Sequence, residues 1–166
     1  PLIRDGQPVT WHVIDLLDLE QIVALRDQLI TDLGRIDGVI HLVGGWRGSP
    51  TLDLASAKNW SALNPPIVGT LASLTSVLSE GIRAGDRGRV VMVTSTAARN
   101  PTAGNIAYAS AKAAADAWMQ GVSHYFRDSN AAAVTVAVKA LLTDQMIAAS
   151  PEKNFSGFTH VTRLAE

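Results

Sequence analysis

Four short runs of β-branched and aliphatic residues punctuate the chain: Val9–Ile14, Val39–Val43, Arg89–Thr94 and Val134–Val138. Each is nearly continuous in apolar side chains, the pattern of parallel strands covered on both faces. Between the runs, apolar residues recur at three- and four-residue steps, which marks helices that bury one stripe. Leu19, Ile22, Val23, Leu29, Ile30 and Leu33 make the first stripe. Asp18 stands where an N-cap belongs, Gln21 can complete a capping box, and Gly34 can end the helix. Val68, Leu71, Leu74, Leu78 and Ile82 make the second stripe. An alanine-rich third helix is expected from about Ile106 to Phe126. Strand and helix alternate, so the expected fold is α/β: a doubly wound parallel sheet with right-handed crossovers. Past Val138 the chain reads as loop through Ser150-Pro151 and Asn154–Gly157, with a last helix beginning near Val161.

Composition removes several functional classes. At 166 residues the chain has room for one domain with a core. Apolar residues make up 47% and charged residues 17%, a balance that disfavours disorder. A net charge of −1 provides no basic footprint for nucleic acid and no cationic face for a membrane surface. With no cysteine there is neither a disulfide framework nor a thiolate metal site, which fits a reducing, cytoplasmic setting. His12, His41 and His124 lack ligand spacing and read as core or surface residues, so no metal is expected. Trp11, Trp60 and Trp118 read as packing residues, and Trp46-Arg47 as an ordinary loop in preference to the alternative, a substrate clamp.

The chemistry centres on Tyr108 and Lys112. Four residues apart at the start of the alanine-rich helix, they share one face, a turn apart. A free phenol ionises near pH 10, and a neighbouring ammonium can lower that by ~1–3 units. Such a tyrosine can pass a proton to or from an alcohol or carbonyl oxygen. Ser95, thirteen residues earlier at a strand end, could hold that oxygen at the carboxyl edge of the sheet.

The segment Gly88–Ala114, G-R-V-V-M-V-T-S-T-A-A-R-N-P-T-A-G-N-I-A-Y-A-S-A-K-A-A, resembles the catalytic stretch of short-chain dehydrogenase/reductases. The resemblance implies an NAD(P)-dependent oxidoreductase that interconverts a carbonyl and a secondary alcohol by hydride transfer. Ser95 would orient substrate and Tyr108 would be the acid/base. Lys112 would lower the phenol's pKa and hold the nicotinamide ribose. V-I-D-L-L-D resembles the family's D-x-x-D, which places Asp15 at the adenine with Leu16 after it. H-L-V-G stands where the family has N-N-A-G, so His41, Val43 and Gly44 would line the adenine ribose. Thr143 is an approximate match to the family's nicotinamide-facing threonine. The cofactor would be NAD or NADP. A homodimer or homotetramer would form through the helices near Val68–Ile82 and Ile106–Phe126.

Departures from the family pattern shape the remaining expectations. Asn64 does not match the family's relay asparagine and reads as an N-cap, with Pro65 at the first helical position. Lys139-Ala140 replaces a Pro-Gly. No Gly-rich turn precedes Val9, and the cluster Gly44–Gly48 runs into Ser49-Pro50 without opening a helix, so it is no phosphate cradle. Residues 1–166 are thus expected to form a partial Rossmann-type domain without its first βαβ region. Its four strands would be the third to sixth of a sheet ordered 3-2-1-4-5-6. Val9–Ile14 would then have no neighbour and Val39–Val43 a bare edge. A catalytically faded relative that binds a nucleotide or a partner is the alternative function. A serine hydrolase would need a G-x-S-x-G elbow, which the chain lacks.

Overall fold

Three of the four apolar runs become the main sheet. β1 (Gly38–His41), β2 (Arg89–Ser95) and β3 (Ala132–Val138) lie side by side in that order, as expected of the last three strands. β1 and β2 are parallel, with Gly38 opposite Arg89 and His41 opposite Met92. The structure, a computed structural model, describes residues 9–165 and divides into two compact units. Ile14–Ala137 forms the larger; the smaller takes the chain up to Val13 and from Val138 onward.

The first apolar run behaves differently from expectation. Residues 9–14 are in no strand, and Trp11 and Val13 stand almost wholly in solvent. β-Branched residues suit a pleated, half-buried surface, but a strand exists only with a partner for its backbone groups. Among the described residues these have none in a ladder.

Helix α1 (Leu19–Leu33) follows its sequence signals. The Asp18 carboxylate accepts from the backbone N–H groups of Glu20 and Gln21, and Gly34 closes the far end by donating to the Ile30 carbonyl. The capping box differs in one partner. Gln21 Oε1 accepts from the backbone N–H of Asp15, at 3.0 Å, because the Asp18 N–H already donates to the Asp15 carbonyl.

Helix α2 (Leu54–Asn64) was not expected. Asp53 and Ser56 cap it reciprocally, yet only Ser56 and Leu63 are buried, so it carries no apolar stripe. Asn64 is not an N-cap: it has helical angles and no capping hydrogen bond. The chain instead passes through a wide π turn, Pro65–Gly69, into α3 (Thr70–Ala84). Neither proline has an N–H to donate backward, and the widened turn lets the Thr70 N–H reach the Pro65 carbonyl.

The core lies between α3, β2 and α4 (Ile106–Tyr125). Leu71 and Ile82 of α3 and Val90 of β2 are fully buried. Ala107, Ala111 and Ala115 line the inner face of α4, and their small side chains let it pack closely against α2 and β2. That closeness fixes the face on which Tyr108 and Lys112 stand.

In the smaller unit the presumed loop is partly ordered. β4 (Leu141–Leu142) pairs in parallel with β5 (Thr159–His160), α5 (Asp144–Ala149) lies between, and α6 (Val161–Ala165) begins at the expected residue. Elements this short leave no periodicity to read. No helix among the described residues is long and apolar enough to cross a membrane.

Candidate active site

Ser95 is the last residue of β2 and is buried. Its Oγ accepts from the Ala97 N–H at 3.2 Å as the chain turns into the short helix Thr96–Arg99. That uses the oxygen as an acceptor and leaves the hydroxyl proton to be donated. Tyr108, in the first turn of α4, is close enough for the Ser95 hydroxyl to favour its ionised form. Burial acts more strongly in the other direction, and the phenol stands above its ordinary pKa of about 10.

Lys112 is buried one turn further along α4, and its Nζ donates to the Val93 carbonyl at 2.9 Å. Desolvation lowers its pKa, with the Asp116 carboxylate opposing. Burial, opposed by the Ser95 hydroxyl, sets the direction of the Tyr108 shift in this arrangement. An ammonium has three protons to give, and one is accounted for here.

Gly44 lies directly beside this group. A Cβ at Gly44 would stand 3.4 Å from Ile67 Cγ1 and 3.9 Å from Lys112 Nζ. The backbone therefore leaves a narrow space next to a buried ammonium, a setting suited to a sugar hydroxyl.

Two further sequence candidates meet elsewhere on the same unit. His41 is 3% exposed at the end of β1, and its Nε2 lies 2.9 Å from Thr70 Oγ1. The Thr70 hydroxyl donates to the Pro66 carbonyl at 2.7 Å, so it must accept from His41 Nε2–H. This assigns the neutral Nε2–H tautomer. Desolvation first, and the Lys112 charge second, push the histidine's pKa down to about 4. Beside Thr70, Leu17 occupies the space that a side chain on Gly69 would need. Asp15 Oδ1 accepts from the Leu17 N–H at 2.9 Å, so the Asp15–Asp18 turn is held against the start of α3. Leu16 and Val43 are half-buried.

Thr143 belongs to the smaller unit, where its hydroxyl caps α5 by accepting from the Met146 N–H. The structure thus groups Ser95, Tyr108, Lys112 and Gly44, and places His41 and the Asp15 turn around Thr70. Sequence reasoning missed Thr70 and the π turn. The usable signal was a histidine in a strand end where the resembled family has asparagine. The three tryptophans read as packing residues are all substantially exposed: 86% for Trp11, 39% for Trp60 and 41% for Trp118.

A parallel α/β sheet with candidate ligand-binding side chains at the carboxyl ends of its strands is a doubly wound, Rossmann-type architecture. Residues 2–154 match the family model for short chain dehydrogenase, and the chain belongs to that family. It is 26% identical over 156 residues to the 7alpha-hydroxysteroid dehydrogenase of Escherichia coli (strain K12), covering 92% of this chain and 60% of the relative. A short chain dehydrogenase from Shigella flexneri complexed with NADP superposes with a TM-score of 0.72 at 22% identity, covering 93% of this chain and 65% of that one. An oxidoreductase from Haemophilus influenza with bound NAD gives 0.67 at 20% identity, covering 91% and 59%. The chain therefore spans about three fifths of the relatives it matches. Structures of this fold bind NADP or NAD, and the residues described leave the choice between them open.

Proposed function

We propose that the chain carries the proton-transfer half of an NAD(P)-dependent interconversion of a carbonyl and a secondary alcohol. The observation that supports it best is the grouping of Ser95, Tyr108 and Lys112 at the end of β2 and the start of α4. Asp15 and Leu16 would face the adenine, and His41, Val43 and Gly44 its ribose. The remaining protons of Lys112 would hold the nicotinamide ribose. Thr143 is proposed as a nicotinamide contact. The bound nucleotide supplies or accepts the hydride.

The proton chemistry belongs to the chain's own residues. The Ser95 hydroxyl donates to the substrate carbonyl oxygen and fixes its position. Tyr108, raised in pKa and so protonated at neutral pH, gives its proton to the oxygen as negative charge develops there. In the reverse direction the phenolate takes the proton back from the alcohol. The substrate is a small carbonyl or alcohol, and the working location is the cytoplasm. A second copy of the chain is proposed to pack on the outer faces of α3 and α4. The exposed Trp118, its indole N–H bonded to Thr75 Oγ1, and Tyr125 flank a groove there.

Tyr108→Phe in the full protein tests the assignment. Turnover should fall about 10²–10⁴-fold, the usual share of a positioned acid/base, while nucleotide binding persists. Retention of most activity overturns the role of Tyr108. A wild-type protein that binds nucleotide but turns over no carbonyl in a broad panel supports the faded-relative alternative.

A further inference from the structure

The loop from β1 to α2 is tied to the candidate site at both of its ends. At its start, Gly44 adjoins Lys112, as described. Four residues later Gly48 adjoins Gly104, whose carbonyl oxygen would lie 2.9 Å from a Cβ on Gly48. Ser49 N–H donates to that same carbonyl at 3.0 Å. Gly104 lies four residues before Tyr108, in the turn that opens α4. Trp46 sits midway, two residues from each anchor, so its Cα is within about 7 Å of both glycines. A segment bracketed by Lys112 and by the approach to Tyr108 can reach the space over them.

The indole is held in place by its own loop. Its Cζ2 and Cη2 atoms lie against Gly48, where a Cβ would approach them to 2.9 and 3.0 Å. Only a glycine admits the ring in that position. The Asn59 side-chain amide donates to the Gly48 carbonyl at 3.2 Å, and Ser49 and Ser56 share a hydroxyl contact at 3.0 Å. These contacts pin the strip on which the ring rests. Trp46 is nevertheless 69% exposed. A large apolar ring that is positioned but uncovered gains free energy from any apolar surface laid on it. Side chains fixed on a loop above a rigid scaffold are well placed for recognition.

We propose that Trp46 is the recognition wall of this site, covering the apolar ring of a cyclic alcohol or ketone whose oxygen reaches Ser95 and Tyr108. The inference rests on the dehydrogenase assignment above and gives its substrate class. An acyclic carbonyl of a few carbons would reach Ser95 and leave the indole uncovered, so the wall would discriminate between the two.

Each of the four tryptophans gives one indole N–H signal in a ¹⁵N-labelled protein, and Trp46→Phe identifies the one from Trp46. The full protein, saturated with oxidised nicotinamide nucleotide so that no ketone is reduced, is titrated with cyclohexanone and separately with acetone. The ring signal of ¹³C-labelled Tyr108, assigned with Tyr108→Phe, reports arrival at the acid/base. Cyclohexanone should move both the Trp46 and Tyr108 signals, and acetone only that of Tyr108. Trp46→Ala should weaken cyclohexanone binding about tenfold and leave acetone binding unchanged. Trp46→Gln, which keeps a side chain at that position without an apolar ring and leaves the Gly48–Gly104 contact untouched, is the second variant and should lose the same discrimination. If cyclohexanone moves Tyr108 but not Trp46, or both variants keep the discrimination, the recognition wall is wrong and the dehydrogenase assignment stands. If neither ketone moves either signal, the recognition wall is wrong, and the dehydrogenase assignment is decided separately by turnover of the broad carbonyl panel.

Discussion

Acid should weaken this protein through His41 before most of its carboxylates matter. The ring is neutral and donates to Thr70 in the folded state, with a pKa near 4 against 6.5 for an unhindered histidine. An unfolded chain takes up that proton as soon as the pH drops below 6.5, while the native chain does not. The contribution is therefore fully present above 6.5 and is lost progressively as the pH falls toward 4. A difference of that size is worth about 3 kcal/mol in total, and about 2 kcal/mol of it is gone by about pH 5. Because the side chain is 3% exposed, solvent screening takes little from this figure. The assay is urea unfolding at neutral pH and near pH 5, for the wild type and for His41→Gln. Glutamine keeps an N–H donor for Thr70 but cannot titrate in this range. The wild type should lose about 2 kcal/mol more than the variant over the interval. Equal losses would show that His41 takes up a proton in the native state as readily as in the unfolded chain, and would refute its depressed pKa.

Three further outcomes are expected. Leu71→Ala opens a cavity at a fully buried position and should cost ~2–5 kcal/mol by denaturant unfolding; a cost below about 1 kcal/mol would mean that α3 does not anchor the core. Gly88→Ala drives a methyl group into the Ile82 carbonyl at the end of α3, so it should destabilise by about 1–3 kcal/mol or more, in contrast to Gly81→Ala, where the added atom meets nothing. Ultraviolet titration of the nucleotide-free protein, with Tyr108→Phe as the difference partner, should place Tyr108 ionisation above about 10; a midpoint below that value would mean that Lys112 outweighs burial.

Much of this architecture was legible where a signal repeats along the chain. α1 was bounded by Asp18 and Gly34, and α4 by the alanine run with Tyr108 and Lys112 on one turn. The strands holding His41, Ser95 and Val138 were found as apolar runs, because burial on both faces leaves few polar interruptions. α2 was not legible, since its buried positions are one serine and one leucine seven residues apart, while Leu54 faces solvent. The run at Val9–Ile14 has strand chemistry, but pairing is decided by a neighbour that local sequence does not specify. The Asn64 assignment failed for a related reason. Asparagine before proline is a sound start signal, and nothing local reveals that a helix already runs into it. The His41–Thr70 contact joins residues 29 apart and could only come from the fold.

The π turn at Pro65–Gly69 sets the angular phase of everything after it. Each residue of an α-helix advances the face by about 100°, so one extra residue in a turn rotates the following helix by that amount relative to an unbroken rod. α2 and α3 therefore answer to different neighbours while sharing one continuous helical path. The loop pinned through Ser56 and Asn59 sets the first, and the core beneath Leu71 together with the His41 hydrogen bond sets the second. What must be conserved at the joint is its residue count. Removing one residue would swing Thr70 away from His41 and Leu71 out of the core together.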